Sequence, residues 1–97
     1  MARDFKTLKS YPVNGGIQYI FKADNGYGAS IVKHDFSYGG KQGKWELAVI
    51  KYSNDTDWDI CYDTVITNDV LGYLSESQVN ATLDKIAALK PDEATAQ

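Results

Sequence analysis

The sequence predicts an α+β domain: a four-stranded antiparallel β-meander with a C-terminal helix, preceded by a short helical turn, packed on one face. Two observations carry this prediction. Segments with alternating apolar residues and glycine-rich turns fill the first two thirds of the chain, and a capped amphipathic segment follows them. A chain of 97 residues, 43% of them hydrophobic and 24% charged, has the length and composition of one globular domain, so we treat residues 1–97 as one unit.

Four segments have the pattern of β-strands, at about 16–23, 29–36, 45–52 and 58–63. Asn25-Gly26 lies between the first two and is typical of a tight hairpin turn. The first fifteen residues have a weaker pattern, and we expect them either to add an edge strand or to lie over the core.

The segment 58–63 has the clearest alternation of all. One face carries Trp58, Ile60 and Tyr62, and the other carries Asp59, Cys61 and Asp63. We expect the aromatic and aliphatic face to pack on the core. If Asp55 and Asp57 continue the same geometry, the second face carries a row of carboxylates about 6.6–6.8 Å apart.

The ends of the helix are marked by its capping residues. Ser75 and Gln78 have the spacing of a capping box, and Pro91 ends the helix. We expect the buried stripe to consist of Val79, Leu83, Ile86 and Ala87. A short helical turn is predicted before it, opening at Thr67 or Asn68, containing Val70 and Leu71, and ending at Gly72. Residues 92–97 are predicted to be a flexible tail.

Charge divides the chain into two unlike halves. Residues 1–51 carry eight basic and four acidic side chains, a net charge of +4, whereas residues 52–97 carry two basic and nine acidic ones, a net charge of −7. A polarity of this kind describes what a surface can bind, not a reaction. We therefore predict partner-binding residues in the acidic block: Asp55, Asp57, Asp59, Asp63 and Asp69.

Two other interpretations of the acidic block remain open. Charged side chains protect edge strands from pairing with other sheets, so the row can be a protective feature only. Asp57 and Asp59 can also hold a cation. The segment 55–59 copies the first positions of a calcium loop, but Ile60 and Ile66 stand where that loop requires glycine and glutamate, so no metal site is assigned.

Catalytic residues are not predicted. His34 is the sole histidine, and Ser30, the nucleophile candidate of the same strand parity, lies roughly 13 Å away along an extended strand. Cys61 stands among aspartates, which raise the pKa of a thiol and so disfavour the nucleophilic thiolate. No phosphate-binding glycine loop is present, and we expect neither enzymatic activity nor a cofactor.

Two tyrosines stand in glycine-rich turns where no neighbouring residue is expected to bury them. Tyr27 and Tyr38 are therefore added to the predicted partner-binding residues. Together with Lys41 and Lys44 they have the composition of a patch for single-stranded nucleic acid. An acidic pI of about 4.9 opposes phosphate binding, so we do not expect direct nucleic-acid binding.

The sequence leads us to expect a cytoplasmic protein. The first six residues, MARDFK, lack the apolar core of a secretory signal, and no apolar run approaches the roughly 20 residues of a membrane helix. With Cys61 as its one cysteine, the chain cannot form an internal disulfide.

Three segments carry a resemblance to a known group: DNGYGAS at 24–30, WELAV at 45–49 and YDTVITNDV at 62–70. Together they resemble small uncharacterised accessory proteins of tailed bacteriophages, and the likeness covers most of residues 16–90. The resemblance implies a phage product that acts in the cytoplasm of a host bacterium. Small acidic phage proteins in that setting, such as anti-CRISPR proteins and restriction inhibitors, occupy the basic, nucleic-acid-binding face of a host enzyme.

Two hypotheses of function follow from these observations. The first is an inhibitory binding protein whose acidic surface docks on a basic host protein. The second is a homodimeric assembly protein that pairs edge strands, or that opposes its basic half to the acidic half of another copy. The mass in solution at low and high salt distinguishes the two, because a dimer held by charge dissociates when salt screens that charge.

Overall fold

The computed structural model describes residues 4–54, 56–61 and 70–89, which form an open antiparallel sheet covered on one face by a single helix. The α+β class and the C-terminal helix are confirmed, but the sheet has six strands and not four. The elements are β1 (Ser10–Val13), β2 (Gly16–Lys22), β3 (Tyr27–Lys33), β4 (Trp45–Tyr52), β5 (Trp58–Ile60), β6 (Leu71–Leu74) and α1 (Glu76–Ala87).

The first added strand comes from the N-terminal segment. β1 pairs with β2 through a two-residue turn at Asn14 and Gly15, whose φ angles are +46° and +82°. Two successive positive φ values are typical of the turn whose twist matches that of the flanking strands. Of the two alternatives for residues 1–15, the edge strand is therefore realised over Ser10–Val13.

The second added strand replaces the predicted helical turn. Leu71–Leu74 pairs antiparallel with the first half of β4, so the expectation of a helical turn around Val70 and Leu71 is wrong for the residues described there. Residues 62–69, which include the proposed start of that turn, lie outside the described residues.

β5 and β6 lie along the same edge of the sheet. β3 occupies one edge of β4, and β5 and β6 both pair with the other, at Ile50–Tyr52 and at Trp45–Leu47 respectively. They therefore share one edge of β4, β5 beside its last residues and β6 beside its first. The Cys61 N–H also donates to the Val49 carbonyl at 2.7 Å.

The core lies between α1 and one face of the sheet. From α1, Val79, Leu83 and Ile86 are fully buried, as predicted, but Ala87 is exposed and Leu89 is buried instead. They pack against the sheet residues of one strand parity, among them Tyr27, Ala29, Ile31, Leu47 and Val49.

The N-terminal segment completes this core. The Phe5 ring has no exposed surface and packs edge-on against Trp45 and Tyr19, with centroids 4.8 and 5.3 Å away. Its N–H donates to the Asn80 side-chain oxygen at 2.8 Å. Residues before the first strand thus join the sheet to α1.

Both ends of α1 are satisfied by side chains. The Gln78 N–H donates to the Ser75 hydroxyl at 3.2 Å and the Ser75 N–H donates to the Gln78 side chain at 2.8 Å, which confirms the predicted capping box. At the other end, the Asn25 amide donates to the carbonyls of Ile86 and Leu89 at 2.9 and 2.8 Å. The β2–β3 turn therefore caps the helix.

Candidate functional site

The residues that were considered for catalysis and rejected, His34, Cys61 and Ser30, are engaged in structural contacts. His34 Nδ1 accepts a hydrogen bond from the Phe36 N–H at 3.0 Å, which directs the ring into its own loop. Cys61 is a buried cysteine in the hydrophobic core. Ser30 accepts a hydrogen bond from the Gln18 side chain on the sheet face opposite α1.

Tyr27 was predicted on the surface, and this is wrong. Its side chain is 1% exposed because it opens β3 on the face that α1 covers. The turn itself directs it there, since the Asn25 side chain accepts the Tyr27 N–H at 3.0 Å while its amide group caps the helix. A glycine-rich turn can therefore bury an aromatic residue when the turn packs against another element.

The acidic block is described only in part. Asp55, Asp63 and Asp69 lie outside the described residues, whereas Asp57 and Asp59 are exposed. Asp57 accepts a hydrogen bond from the Asn54 amide at 2.8 Å, and the Asn54 oxygen accepts the N–H groups of Thr56 and Asp57, each at 2.9 Å. Asp59 stands directly opposite Lys51 in the β4–β5 pair.

The predicted core face of this segment is also wrong for Trp58 and Ile60, whereas Tyr62 and Asp63 lie outside the described residues. Ile60 is 42% exposed and Cys61 is buried, because the register of β5 turns Trp58 and Ile60 to the sheet face opposite α1. Asp59 therefore belongs to the helix side of the edge strand. Over residues 58–61 the alternation agrees with the prediction, but the face expected to pack on the core is the opposite one.

Three aromatic side chains stand exposed at the Trp45 end of β4. Phe36, Tyr38 and Tyr73 are 80%, 58% and 53% exposed, and we call them the aromatic patch. The Tyr73 N–H donates to the Tyr38 carbonyl at 3.2 Å, which joins β6 to the loop between β3 and β4. Phe36 and Tyr73 also line one shallow cavity of about 310 Å³.

The loop that carries Phe36 and Tyr38 is held by its own hydrogen bonds. The Ser37 hydroxyl accepts the His34 N–H and donates to the His34 carbonyl, both at 3.0 Å. The Tyr38 N–H donates to the Glu46 carboxylate at 2.9 Å. These bonds fix the backbone from which the aromatic side chains project.

Tyr73 has a strained backbone. Its φ is +56°, a value that is a clear outlier for a bulky residue. Leu71 pairs with Leu47 and Leu74 with Trp45, so two residues of β6 stand opposite one residue of β4 in a β-bulge. The bulge turns Tyr73 outward at a cost of the order of 1–3 kcal/mol for a residue held in a sparsely populated region.

The structure separates the two groups of predicted binding residues. Tyr38 lies beside the first residues of β4, where its N–H bonds to Glu46. Asp57 and Asp59 lie beside the last residues of the strand, Lys51 and Tyr52. The ends of this eight-residue strand are about 23 Å apart at roughly 3.3 Å per residue. Phe36 and Tyr73, which complete the aromatic patch, were not predicted.

The described residues present neither a candidate metal site nor a helix that could cross a membrane. In residues 4–54, 56–61 and 70–89, no group of three or more His, Cys, Asp or Glu side chains is arranged to hold a metal ion. Over the same ranges, no helix has the length and apolarity needed to cross a membrane.

Comparison with known proteins gives no relative from which a function could be transferred. The chain matches no protein-family model, no curated protein and no solved structure.

Proposed function

We propose that this chain is a non-enzymatic protein-binding domain that docks through the aromatic patch. In line with the resemblance to phage accessory proteins, its partner is a bacterial host protein in the cytoplasm, which it inhibits or modulates by occupying its surface. The observation that carries the proposal is the exposure of Phe36, Tyr38 and Tyr73 at one end of the sheet.

Exposed aromatic side chains are the residues that protein interfaces use most. Aromatic residues are enriched at the centres of interfaces, and a few of them supply most of the binding free energy. Phe36 leaves 80% of its surface in water, which is unfavourable unless a partner covers it. Phe36 and Tyr73 line the same cavity, and a backbone hydrogen bond joins Tyr73 to Tyr38, so the three exposed rings are near enough to contact one partner together.

The backbone under the patch supports the same interpretation. Because the loop is fixed by Ser37 and Glu46, little conformational entropy is lost when a partner binds. The strain at Tyr73 keeps one ring exposed that an unstrained strand would have directed elsewhere.

The carboxylates have a secondary role in this proposal. Asp57 and Asp59 are exposed at the other end of β4, where they raise the association rate with a basic partner without forming the centre of the contact. Their contribution is screened over about 8 Å at physiological salt, so it is lost when salt is raised.

The proposal is tested by affinity capture from bacterial lysate followed by a dissociation constant for the purified partner. Replacing Phe36 by Ala should weaken that affinity about 30-fold or more, the usual effect of removing a central aromatic residue. The matched control is Tyr11→Ala, an exposed aromatic residue of β1 that lies outside the patch. The control should bind like the wild type.

Two results would contradict the proposal. If Phe36→Ala keeps full affinity while Asp57→Asn with Asp59→Asn loses it, the acidic surface is the docking site. If the wild type captures no host protein and is a dimer in solution, the alternative of a homodimeric assembly protein is supported, with β1 as the exposed edge strand.

A further inference from the structure

The aromatic patch includes a four-residue turn that begins at a histidine. The Ser37 N–H donates to the His34 carbonyl at 3.2 Å, which closes a β-turn over residues 34–37. From inside this turn, the Phe36 N–H donates to His34 Nδ1 at 3.0 Å. The imidazole therefore holds the backbone of the residue whose ring is the most exposed of the patch.

The residues that other β-turns use at this position explain what the imidazole does. Asp, Asn and Ser are favoured at the first position of the commonest turns, and an Asp or Asn oxygen there accepts the N–H two residues further on. This chain has such a contact in its β2–β3 turn, where Asn25 Oδ1 accepts the Tyr27 N–H at 3.0 Å. His34 makes the same contact over the same spacing, but with a ring nitrogen.

A ring nitrogen differs from an amide oxygen because it can be protonated. An imidazole nitrogen accepts a hydrogen bond only in the neutral ring, and both nitrogens are donors in the imidazolium. Protonation of His34 therefore replaces the acceptor by a donor that faces the Phe36 N–H. Two donors cannot share a hydrogen bond, so the contact is lost. Histidine side chains ordinarily change their charge between about pH 5 and 8.

The other contacts of this turn do not use the imidazole. The Ser37 hydroxyl bonds to the N–H and the carbonyl of His34, and the Gly40 N–H donates to the Ser37 carbonyl at 3.1 Å. Gly40 packs so closely on the turn that an added methyl group would meet the His34 carbonyl. Loss of the imidazole contact therefore loosens Phe36 and leaves the turn closed.

Ionisable side chains stand around the turn. Among the described residues they are Lys33 and Asp35 beside it in the chain, Lys41 and Tyr38 in the following loop, Glu46 on β4 and Tyr73 on β6. β2 approaches His34 through Gly16, which brings no charge. A neighbouring charge changes the pH at which an imidazole is protonated, but it does not give the Phe36 N–H an acceptor. The direction of the effect is therefore independent of these groups.

We propose that His34 is a pH-sensitive switch of the aromatic patch: the neutral ring holds Phe36 in its binding position, and the imidazolium releases it. This inference rests on the proposed function, because it concerns how the same patch binds its partner. The hydrogen bond is present while the ring is neutral and is lost as the pH falls. Phe36 then regains freedom that binding must remove again, so partner affinity should fall about two- to twelvefold, the net value of one hydrogen bond.

The first test needs no partner. NMR follows the amide chemical shift and order parameter of Phe36 as the pH is lowered from about 8 to about 5, the range in which histidine ordinarily titrates. Both should change together with the ring signals of His34, and the order parameter should fall. The Tyr27 amide, whose acceptor is the amide oxygen of Asn25, is the matched internal control and should keep its order parameter.

Two variants separate the acceptor from the titration. His34→Asn keeps an acceptor two residues before Phe36 but cannot be protonated, so the Phe36 amide and the partner affinity should not respond to pH. His34→Lys has a positive charge and no acceptor, so Phe36 should be loose and the affinity low over the whole range. In the wild type, the dissociation constant for the captured host protein should rise about two- to twelvefold on acidification.

Three results would overturn this proposal. The first is a Phe36 amide that keeps its order parameter, as the Tyr27 amide does, while His34 titrates. The second is a His34→Asn variant that loosens on acidification as much as the wild type. The third is a partner affinity that does not change with pH although Phe36→Ala weakens it. Failure of the proposed function looks different, because Phe36→Ala would then keep full affinity while the Phe36 amide still responded to pH.

Discussion

The two ends of β4 carry different kinds of exposed residue. At the Trp45 end, Phe36, Tyr38 and Tyr73 project from a backbone that is hydrogen-bonded and, at Tyr73, strained. At the Tyr52 end, Asp57 and Asp59 are exposed in a hairpin whose turn is closed by Asn54. Both ends are surface, but among the described residues the aromatic rings that are more than half exposed lie at the Trp45 end.

This difference shows which exposed residues indicate a function. A carboxylate in water is in its favourable state, so its exposure needs no further explanation. An aromatic ring that stays in water gains no free energy of burial on folding. At Tyr73 the left-handed backbone adds a cost. The Trp45 end is therefore the stronger candidate, although the sequence directs attention to the acidic end.

The largest expected change in the free energy of unfolding concerns Phe5, which packs against Trp45 at its end of β4. Phe5→Ala should lower the free energy of unfolding by about 3–5 kcal/mol, because it leaves a cavity beside Trp45 and Tyr19 in a fully buried site. Chemical denaturation followed by Trp fluorescence measures this. Tyr11→Ala, which removes an exposed ring, is the control, and an equal loss in both variants would show that the N-terminal segment does not build this end.

The next largest change in the free energy of unfolding is expected at Asn25, in the β2–β3 turn. This turn lies at the Tyr52 end of β4, because the Tyr52 N–H donates to the Gly26 carbonyl at 2.8 Å. Asn25→Ala should cost about 1–3 kcal/mol, since carbonyls at the end of α1 lose their donor. Asn25→Asp should cost more, because a carboxylate faces those carbonyls and the negative end of the helix dipole. Thermal unfolding of the two variants checks the order, and a more stable Asp variant would contradict the assigned contact.

A smaller effect, of opposite sign, is expected at Tyr73. Glycine adopts a positive φ without the penalty of about 1–2 kcal/mol that applies to other residues, so Tyr73→Gly should raise the free energy of unfolding by about 1 kcal/mol. Tyr73→Ala removes the same ring but keeps the strain and is the matched control. A glycine variant no more stable than the alanine variant would mean that the backbone at this position is not strained.

The smallest effect is expected at the carboxylates. Asp57→Asn with Asp59→Asn should change the free energy of unfolding by less than about 0.5 kcal/mol, since exposed charges contribute little and asparagine keeps one acceptor oxygen for Asn54. Thermal unfolding at two salt concentrations measures it. A loss of several kcal/mol would assign these residues a structural role.

Local patterns in the sequence predicted the parts of the fold that local chemistry determines. The capping box at Ser75, the hairpin at Asn25 and the stripe of Val79, Leu83 and Ile86 were all predicted correctly. Asn14-Gly15 has the same turn signature as Asn25-Gly26, so β1 could have been predicted from the same rule.

The features that the sequence did not predict depend on contacts between residues that are far apart in the chain. Whether Trp58 or Cys61 faces the core is decided by the register of β5 on β4, not by alternation within β5. The positive φ of Tyr73 follows from a bulge against β4, and the neighbouring Gly72 is the residue to which the sequence would have assigned it. The exposure of Phe36 depends on the loop that Ser37 closes. The sequence pattern predicted a strand over 29–36, whereas β3 ends at Lys33, so Phe36 was not expected in a loop.

The most direct measurement of the central claim compares partner affinity at the two ends of β4. The dissociation constant for the captured host protein should rise about 30-fold or more in Phe36→Ala, while Asp57→Asn with Asp59→Asn should slow association and leave the dissociation rate nearly unchanged. Both variants must first unfold like the wild type. If the carboxylate variant instead loses the complex and Phe36→Ala retains it, the aromatic patch is not the binding surface.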